Sequence, residues 1–312
     1  MICIAVANKP ITYFNRYTQR EETELVYGDG AIKFIYDNPM GRMLAPLAAS
    51  KPVSQLYGCY QDWSVSGNKV APFVEKFDID LSMYKAGSVE SESKENSYKN
   101  FNEFFIREFE DGQRPFVDAA NKMPAFSEAR YFGHQAVSGE VKVPVKGEHL
   151  SAKDLLGGSR WSDTFTGGPL LIARLCPVDY HRYHYPLDGE TLDSFPIPGR
   201  YHSVNPLALK SKPDIFIVNE RRASILETQH FGKLVYIEVG AAMVGKIVQS
   251  HNESTPHKQG DEKGYFLFGG STVILLGEPG KWRPSQDILK YTQAGIETYL
   301  HLGDAVAELC EQ

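Results

Sequence analysis

The residues best suited to chemistry fall in two short stretches. Asp179-Tyr180-His181-Arg182-Tyr183-His184 holds two histidines three apart with a carboxylate two before the first, and Tyr185-Pro186-Leu187-Asp188-Gly189 follows. Histidine titrates near neutrality, so this cluster could ligate a metal, form a hydrogen-bonded network or move protons. A metal needs third and fourth ligands, and the histidines at 134, 149, 202, 230, 251, 257 and 301 show no paired spacing, so no metal is expected. The second stretch, Phe268-Gly269-Gly270-Ser271-Thr272, lies between two apolar runs. Two glycines inside a strand-like run imply a tight bend or a close backbone approach, and Ser271 just beyond is a candidate nucleophile if a base reaches it. Val273 stands two after Ser271, so the Gly-x-Ser-x-Gly elbow is not met. Gly240 to Lys246 fits the opening of a phosphate-binding loop, but Ile247 offers no hydroxyl and continues as strand, so no nucleotide site is expected.

These residues need a frame to hold them. From about residue 125 the chain turns to short runs such as Leu170 to Ala173, Ile215 to Asn219, Leu234 to Val239, Val244 to Val248, Tyr265 to Phe268 and Val273 to Leu276, punctuated by Gly and Pro. Strands separated by turns predict antiparallel pairing in a barrel or sandwich. The first third reads as helical. Residues 30 to 50 carry apolar positions at mixed three- and four-residue steps, interrupted by Pro39, and Phe101, Phe104, Phe105 and Phe109 give one aromatic helix face. Residues 85 to 99 lack apolar periodicity and read as a solvated linker. The expected fold is α+β: a helical N-terminal region over 1–112, then a β-rich, barrel- or sandwich-like catalytic body over 113–312.

Composition narrows the class. In 312 residues, 33 Lys and Arg against 39 Asp and Glu leave a net charge of −6, which argues against a nucleic-acid binder. A hydrophobic share of 42% with 12% aromatics supports a sizeable core and excludes wholesale disorder. The longest apolar runs, Gly168 to Leu175 and Phe266 to Leu276, are shorter than the roughly 18–20 residues of a spanning helix. The N-terminus lacks the basic leader of a secretory signal. Cysteines at 3, 59, 176 and 310 show no C-x-x-C spacing, so a reducing, cytoplasmic setting with buried, apolar thiols is expected.

Over nearly its whole length the chain resembles the phosphatidylserine decarboxylases, self-processing pyruvoyl enzymes. The matching residues are Tyr36 to Arg42, Phe101 to Arg107, Val145-Lys146-Gly147, the 179–184 hexad with Pro186-Leu187-Asp188-Gly189, Asn219-Glu220-Arg221, Gly269-Gly270-Ser271-Thr272-Val273 and Ala294 to Thr298. Expelling CO2 from an amino-acid head group leaves a carbanion that no ordinary side chain delocalises, so an electron sink is required. The resemblance implies that the chain makes this sink itself. Ser271 attacks the carbonyl of Gly270, the chain splits between 270 and 271, and a pyruvoyl cofactor derived from Ser271 remains on the smaller piece.

The resemblance assigns His184 as the base for self-cleavage. It assigns His181 to the decarboxylation step, by protonating the carbanion or holding the substrate carboxylate. Asp179 and Tyr180 are supporting residues of the same segment. It also implies an aspartate completing a Ser-His-Asp triad, in a Pro-Ala-Asp-Gly-like stretch, and here the chain departs: Met123 to Arg130 reads Met-Pro-Ala-Phe-Ser-Glu-Ala-Arg. One register puts Glu128 at that place and another puts Phe126 there; the reading adopted is Glu128, one methylene longer.

The implied substrate is phosphatidylserine, converted to phosphatidylethanolamine. The implied attachment is peripheral, on the cytoplasmic side of a membrane, with residues 30–50 and 101–109 as candidate contacts. A homodimer and continued association of the two self-derived chains are also implied. Two other readings stand beside this one: a pyruvoyl decarboxylase of a free aromatic amino acid, and a processing-deficient relative that binds phospholipid.

Overall fold

The structure is a computed structural model that describes residues 11–25, 38, 43, 50–137, 141–142, 149–204, 208–209, 214–241, 246–268 and 271–310. Strands β1 (Thr12–Asn15) and β2 (Arg20–Thr23) open the chain as a hairpin. After the helical stretch come β3 (Lys122–Pro124), β4 (Ala129–His134), β5 (Val141–Lys142) and β6 (His149–Leu150). Next are β7 (Leu170–Leu175), β8 (Arg182–His184) and β9 (Gly189–Ile197), then β10 (Arg221–Thr228), β11 (Lys233–Val239), β12 (Ile247–Gln249) and β13 (Glu262–Phe266). The last are β14 (Ser271–Gly277), β15 (Trp282–Pro284), β16 (Glu297–Leu300) and β17 (Ala305–Leu309).

Nine strands make the main sheet, in the order β2-β1-β16-β4-β7-β14-β11-β10-β9. Every neighbouring pair is antiparallel except β1 with β16. The body is β-rich as expected, but the sheet is open, with edges at β2 and β9, and no barrel closes among the described residues. β7 and β14 sit near its middle and are buried throughout, which is why they read as unbroken apolar runs. A smaller sheet, β12-β13-β8, packs on one face through Tyr183, whose ring lies 6.1 Å from Tyr236 and 4.8 Å from Phe266. On the opposite face Arg221 donates to the carbonyls of Asp154, Leu155, Ile217 and Asn219, tying short helices to the sheet.

The run Ile215–Val218 is a short helix instead of the expected strand. A four-residue apolar run without alternation fits a buried helical turn as well as a buried strand. The N-terminal third is not purely helical either, because the β1–β2 hairpin joins the main sheet. Residues 30–50 lie almost entirely outside the described part, as do residues 242–245 of the phosphate-loop-like run.

Helix Lys51–Gln61 begins with proline in its first turn, and a 3-10 turn, Ser64–Lys69, leads into helix Val70–Phe77. Residues 85–99 are not a loose linker. Tyr98 is buried, Val89 N–H bonds to Ser97 O at 2.8 Å, and the Lys94 ammonium reaches the carbonyls of Leu81, Ser82 and Tyr84. Helix Phe101–Phe105 is capped by Asn100, whose side chain accepts from Glu103 N at 2.9 Å, while the Glu103 carboxylate reaches back to Lys99 N. Phe101, Phe104 and Phe105 are fully buried in a second core with Phe73, Tyr84 and Tyr98, which rules out this face as a membrane contact. Cys176 is buried as expected, whereas Cys59 is exposed.

Candidate active site

The sheet register brings the two sequence clusters together. Ser271, the first residue of β14, pairs with Leu175, the last of β7. Beyond Leu175 the chain turns at once: Asp179 N–H bonds to Cys176 O at 2.8 Å, and the Asp179 carboxylate accepts from Cys176 N at 2.7 Å. The hexad therefore starts one turn away from Ser271. By strand alternation Ser271 shares its face with Val273, Tyr236 and Glu238, beneath the small sheet. Ser271 is fully buried and its hydroxyl has no hydrogen-bond partner among the described residues. An orphaned buried hydroxyl is costly, of order 1–3 kcal/mol, and one kept at such a place calls for a reason. Gly269 and Gly270, the residues before the expected cleavage point, lie outside the described part.

His181 is fully buried, with its ring 3.7 Å from that of Phe105. Phe105 in turn packs against Phe268 at 5.0 Å, so His181 and the segment entering Ser271 share one aromatic wall. Its Nδ1 lies 3.0 Å from the carbonyl of Asp179. A carbonyl only accepts, so Nδ1 carries the proton and Nε2 keeps a lone pair, which has no partner among the described residues. Burial, against the pull of that carbonyl, pushes the imidazole pKa down to about 3, so the ring is neutral at pH 7.

His184 points the other way. Tyr183 faces the main sheet, so its neighbour His184 faces outward into a cleft of about 250 Å³ lined by Arg114, Phe116, Tyr180, Glu262 and others. Its Nδ1 lies 2.9 Å from Gly260 O and its Nε2 lies 3.1 Å from the Tyr180 hydroxyl. Burial lowers its pKa as well.

Glu128 is placed elsewhere. Its carboxylate takes a two-pronged contact from Arg114, at 2.6 and 3.0 Å, and also accepts from the Tyr299 hydroxyl at 3.2 Å and Leu302 N at 3.4 Å. None of these bonds reaches His184, so the expected carboxylate–histidine contact is not formed. The reason is local: a bidentate guanidinium satisfies both oxygens of Glu128. Phe126, from the other register, is the residue that meets His184, by accepting from its backbone N–H at 2.8 Å, and its ring is buried against Tyr131 and Tyr236.

The Asp179 carboxylate pairs with Arg130 at 2.6 Å while holding Cys176 N. Arg130 belongs to a buried network in which Arg174 binds Glu24 at 2.6 Å and Glu297 at 2.5 Å. Burial raises Glu24, but Arg174 and Arg130 override it and hold the carboxyl at about 2. Sequence reasoning missed three further residues. Asn102 accepts from Phe268 N at 2.8 Å, Arg107 donates to Val178 O at 2.7 Å, and Gly260 supplies its carbonyl to His184. Asn102 and Arg107 stand in the quoted Phe101–Arg107 run, so the signal was present; a backbone carbonyl has no sequence signal.

Residues 101–307 match the family model described as phosphatidylserine decarboxylase, which makes the protein a carboxy-lyase. Three curated relatives, each named phosphatidylserine decarboxylase proenzyme, agree over almost the full chain. That of Clostridium beijerinckii is 36% identical over 95% of this chain and 98% of its own. That of Desulfitobacterium hafniense is 37% identical over 95% and 97%, and that of Fusobacterium nucleatum 38% over 94% and 96%. The chain belongs to the phosphatidylserine decarboxylase family.

Proposed function

We propose that the chain is a proenzyme that cuts itself between Gly270 and Ser271 and then converts phosphatidylserine to phosphatidylethanolamine and CO2. The observation that carries this is the pairing of Ser271 with Leu175, which sets an unpartnered, buried hydroxyl beside the turn into the two-histidine hexad.

In the first stage the Ser271 hydroxyl attacks the Gly270 carbonyl and the amide becomes an ester; His184, the base the resemblance assigns, takes the hydroxyl proton once its ring has turned from the Tyr180 hydroxyl and the cleft toward Ser271. Loss of the Cα proton and of the acyl oxygen from Cβ of residue 271 frees residues 1–270 as a carboxylate. Water then displaces ammonia from the resulting enamine and leaves a pyruvoyl group on residues 271–312. The residues fit a group made in place, since Ser271 is enclosed on both sides by strands and no other described residue claims its oxygen. Once formed, that carbonyl supplies the electron sink for loss of the substrate carboxylate. His181 Nε2, a lone pair held in an apolar wall, is the nitrogen that takes a proton from water and passes it to the product carbon.

The two chains remain joined after the cut. Within 271–312, β14 lies between β7 and β11, β16 between β1 and β4, and β17 between β15 and β3. A break before β14 leaves the pairing of Thr272 to Leu276 with both β7 and β11 in place.

No helix among the described residues is long and apolar enough to cross a membrane. Peripheral contact with the bilayer falls to the surface of helix Lys51–Gln61 and the following turn, where Val53, Leu56, Trp63 and Val65 are 42%, 75%, 64% and 59% exposed. Leu56→Glu with Trp63→Glu is expected to abolish flotation with phospholipid vesicles.

Intact-mass measurement of the purified protein tests the reading. Two chains ending at Gly270 and starting at residue 271, the second blocked to Edman chemistry and reactive with phenylhydrazine, are expected. One intact chain after long incubation overturns it. CO2 release from phosphatidylserine vesicles, compared with free tryptophan, then fixes the substrate.

A further inference from the structure

We propose that the backbone carbonyl of Gly260 and the hydroxyl of Tyr180 are the positioning groups of His184, taking the place a triad carboxylate would hold; this rests on the self-cleavage reading above. Both ring nitrogens of His184 are occupied, Nδ1 by Gly260 O at 2.9 Å and Nε2 by the Tyr180 hydroxyl at 3.1 Å. A carbonyl has no proton to give, so Nδ1 is the protonated nitrogen and Nε2 carries the lone pair, which accepts from the Tyr180 hydroxyl at rest and serves as the base once that donor is released. This is the tautomer that an Nδ1-bound carboxylate selects in a serine triad.

The carbonyl is itself fixed. Gly260 has φ +88°, a conformation suited to glycine, and its N–H bonds to Tyr185 O at 2.9 Å. Lys258 N–H bonds to the Asp261 carboxylate at 2.7 Å and Gln259 N–H to Asp188 at 2.8 Å, which closes the turn on either side. Tyr180 is held from above, with its ring 4.5 Å from Phe109 and near-parallel to the His184 ring at 5.9 Å. Burial pushes its phenol pKa up, so it stays a donor to Nε2.

The carboxylates nearby are otherwise engaged. Glu128 is clamped by Arg114, Glu262 and Glu108 are paired to Arg182 at 2.6 and 3.0 Å, and Asp261 holds Lys258 N. Glu110, which also lines the cleft, sits 3.6 Å from Lys94. A neutral carbonyl stabilises an imidazolium less than a carboxylate does, so self-cleavage in this chain is expected to need a fully neutral His184.

Histidine-labelled Ser271→Ala protein, which stays a single chain, allows His184 to be followed by nitrogen NMR without reference to cleavage. The expected state at pH 7 is neutral with Nδ1–H. Adding Tyr180→Phe removes a donor to the neutral ring and should raise the His184 midpoint; adding Gly260→Ala, whose Cβ meets Phe116 at 3.5 Å but whose φ is unfavourable, should turn the carbonyl away and lower it. Shifts above about 0.5 unit are expected for both, and less than about 0.3 unit for Glu128→Gln. In chains that keep Ser271, the pH midpoint of cleavage should move in the same two directions. The Nε2–H tautomer, or a midpoint moved by Glu128→Gln but not by the other two, overturns the proposal. A wild-type chain that never cleaves while the tautomer is as expected would instead overturn the self-cleavage reading alone.

Discussion

Asn102 offers the most direct test of how the fold sets up the cleavage segment. Its side-chain oxygen accepts from Phe268 N at 2.8 Å and its amide donates to Asp62 at 2.7 Å, with Asn102 and Phe268 each 2% exposed. Replacing it by leucine of similar volume removes the acceptor from a donor that water does not reach. That costs about 1–3 kcal/mol, while Asp62, which is exposed, turns to solvent at little cost. If the bond holds the chain two residues before Gly270 in its reactive position, part of the same loss enters the barrier, and self-cleavage slows by about tenfold for each ~1.4 kcal/mol. Urea unfolding of Asn102→Leu in a Ser271→Ala background measures the first quantity, and the time course of chain splitting in the Ser271 protein measures the second. A variant that loses the stability yet splits at the parental rate would show that the bond only holds the core together. A variant that loses neither would refute the burial argument itself.

Three other expectations follow from the geometry. His181→Ala should still give two chains but release CO2 about 10²–10⁴-fold more slowly, as measured by trapped CO2; full activity would remove His181 from the reaction. Because His181 has its folded pKa depressed to about 3, below an unfolded value near 6.5, it contributes stability above pH 6.5 that is lost as pH falls toward 3, by up to ~1.4 kcal/mol per unit. Urea midpoints of the Ser271→Ala protein should fall along that window, and less steeply with His181→Phe added; equal slopes would refute the buried neutral ring. Arg130→Met should cost about 3–5 kcal/mol in the same background, since it leaves Asp179 and Glu24 buried with too little countercharge; a loss below about 1 kcal/mol would mean water reaches them.

The hexad, the Gly-Gly-Ser-Thr run and the aromatic helix were legible in the sequence because each is a local pattern. Residue type and spacing named Ser271, His181 and His184, and the apolar runs named Leu170 to Ala173 and Val273 to Leu276 as strands, which fall within β7 and β14. The β1–β2 hairpin and the helical turn at Ile215–Val218 were not legible, because partners far along the chain decide them.

What the sequence settled by itself is the chemistry available: a serine after two glycines, two histidines three apart, and the family to which that combination belongs. What only tertiary structure decided is which acceptors those histidines meet. Glu128 was picked by counting residues, yet a carboxylate goes to the nearest guanidinium, and Arg114 lies closer than any histidine nitrogen. The group that does reach His184 is a main-chain carbonyl at Gly260, which every residue possesses and only a particular turn can aim.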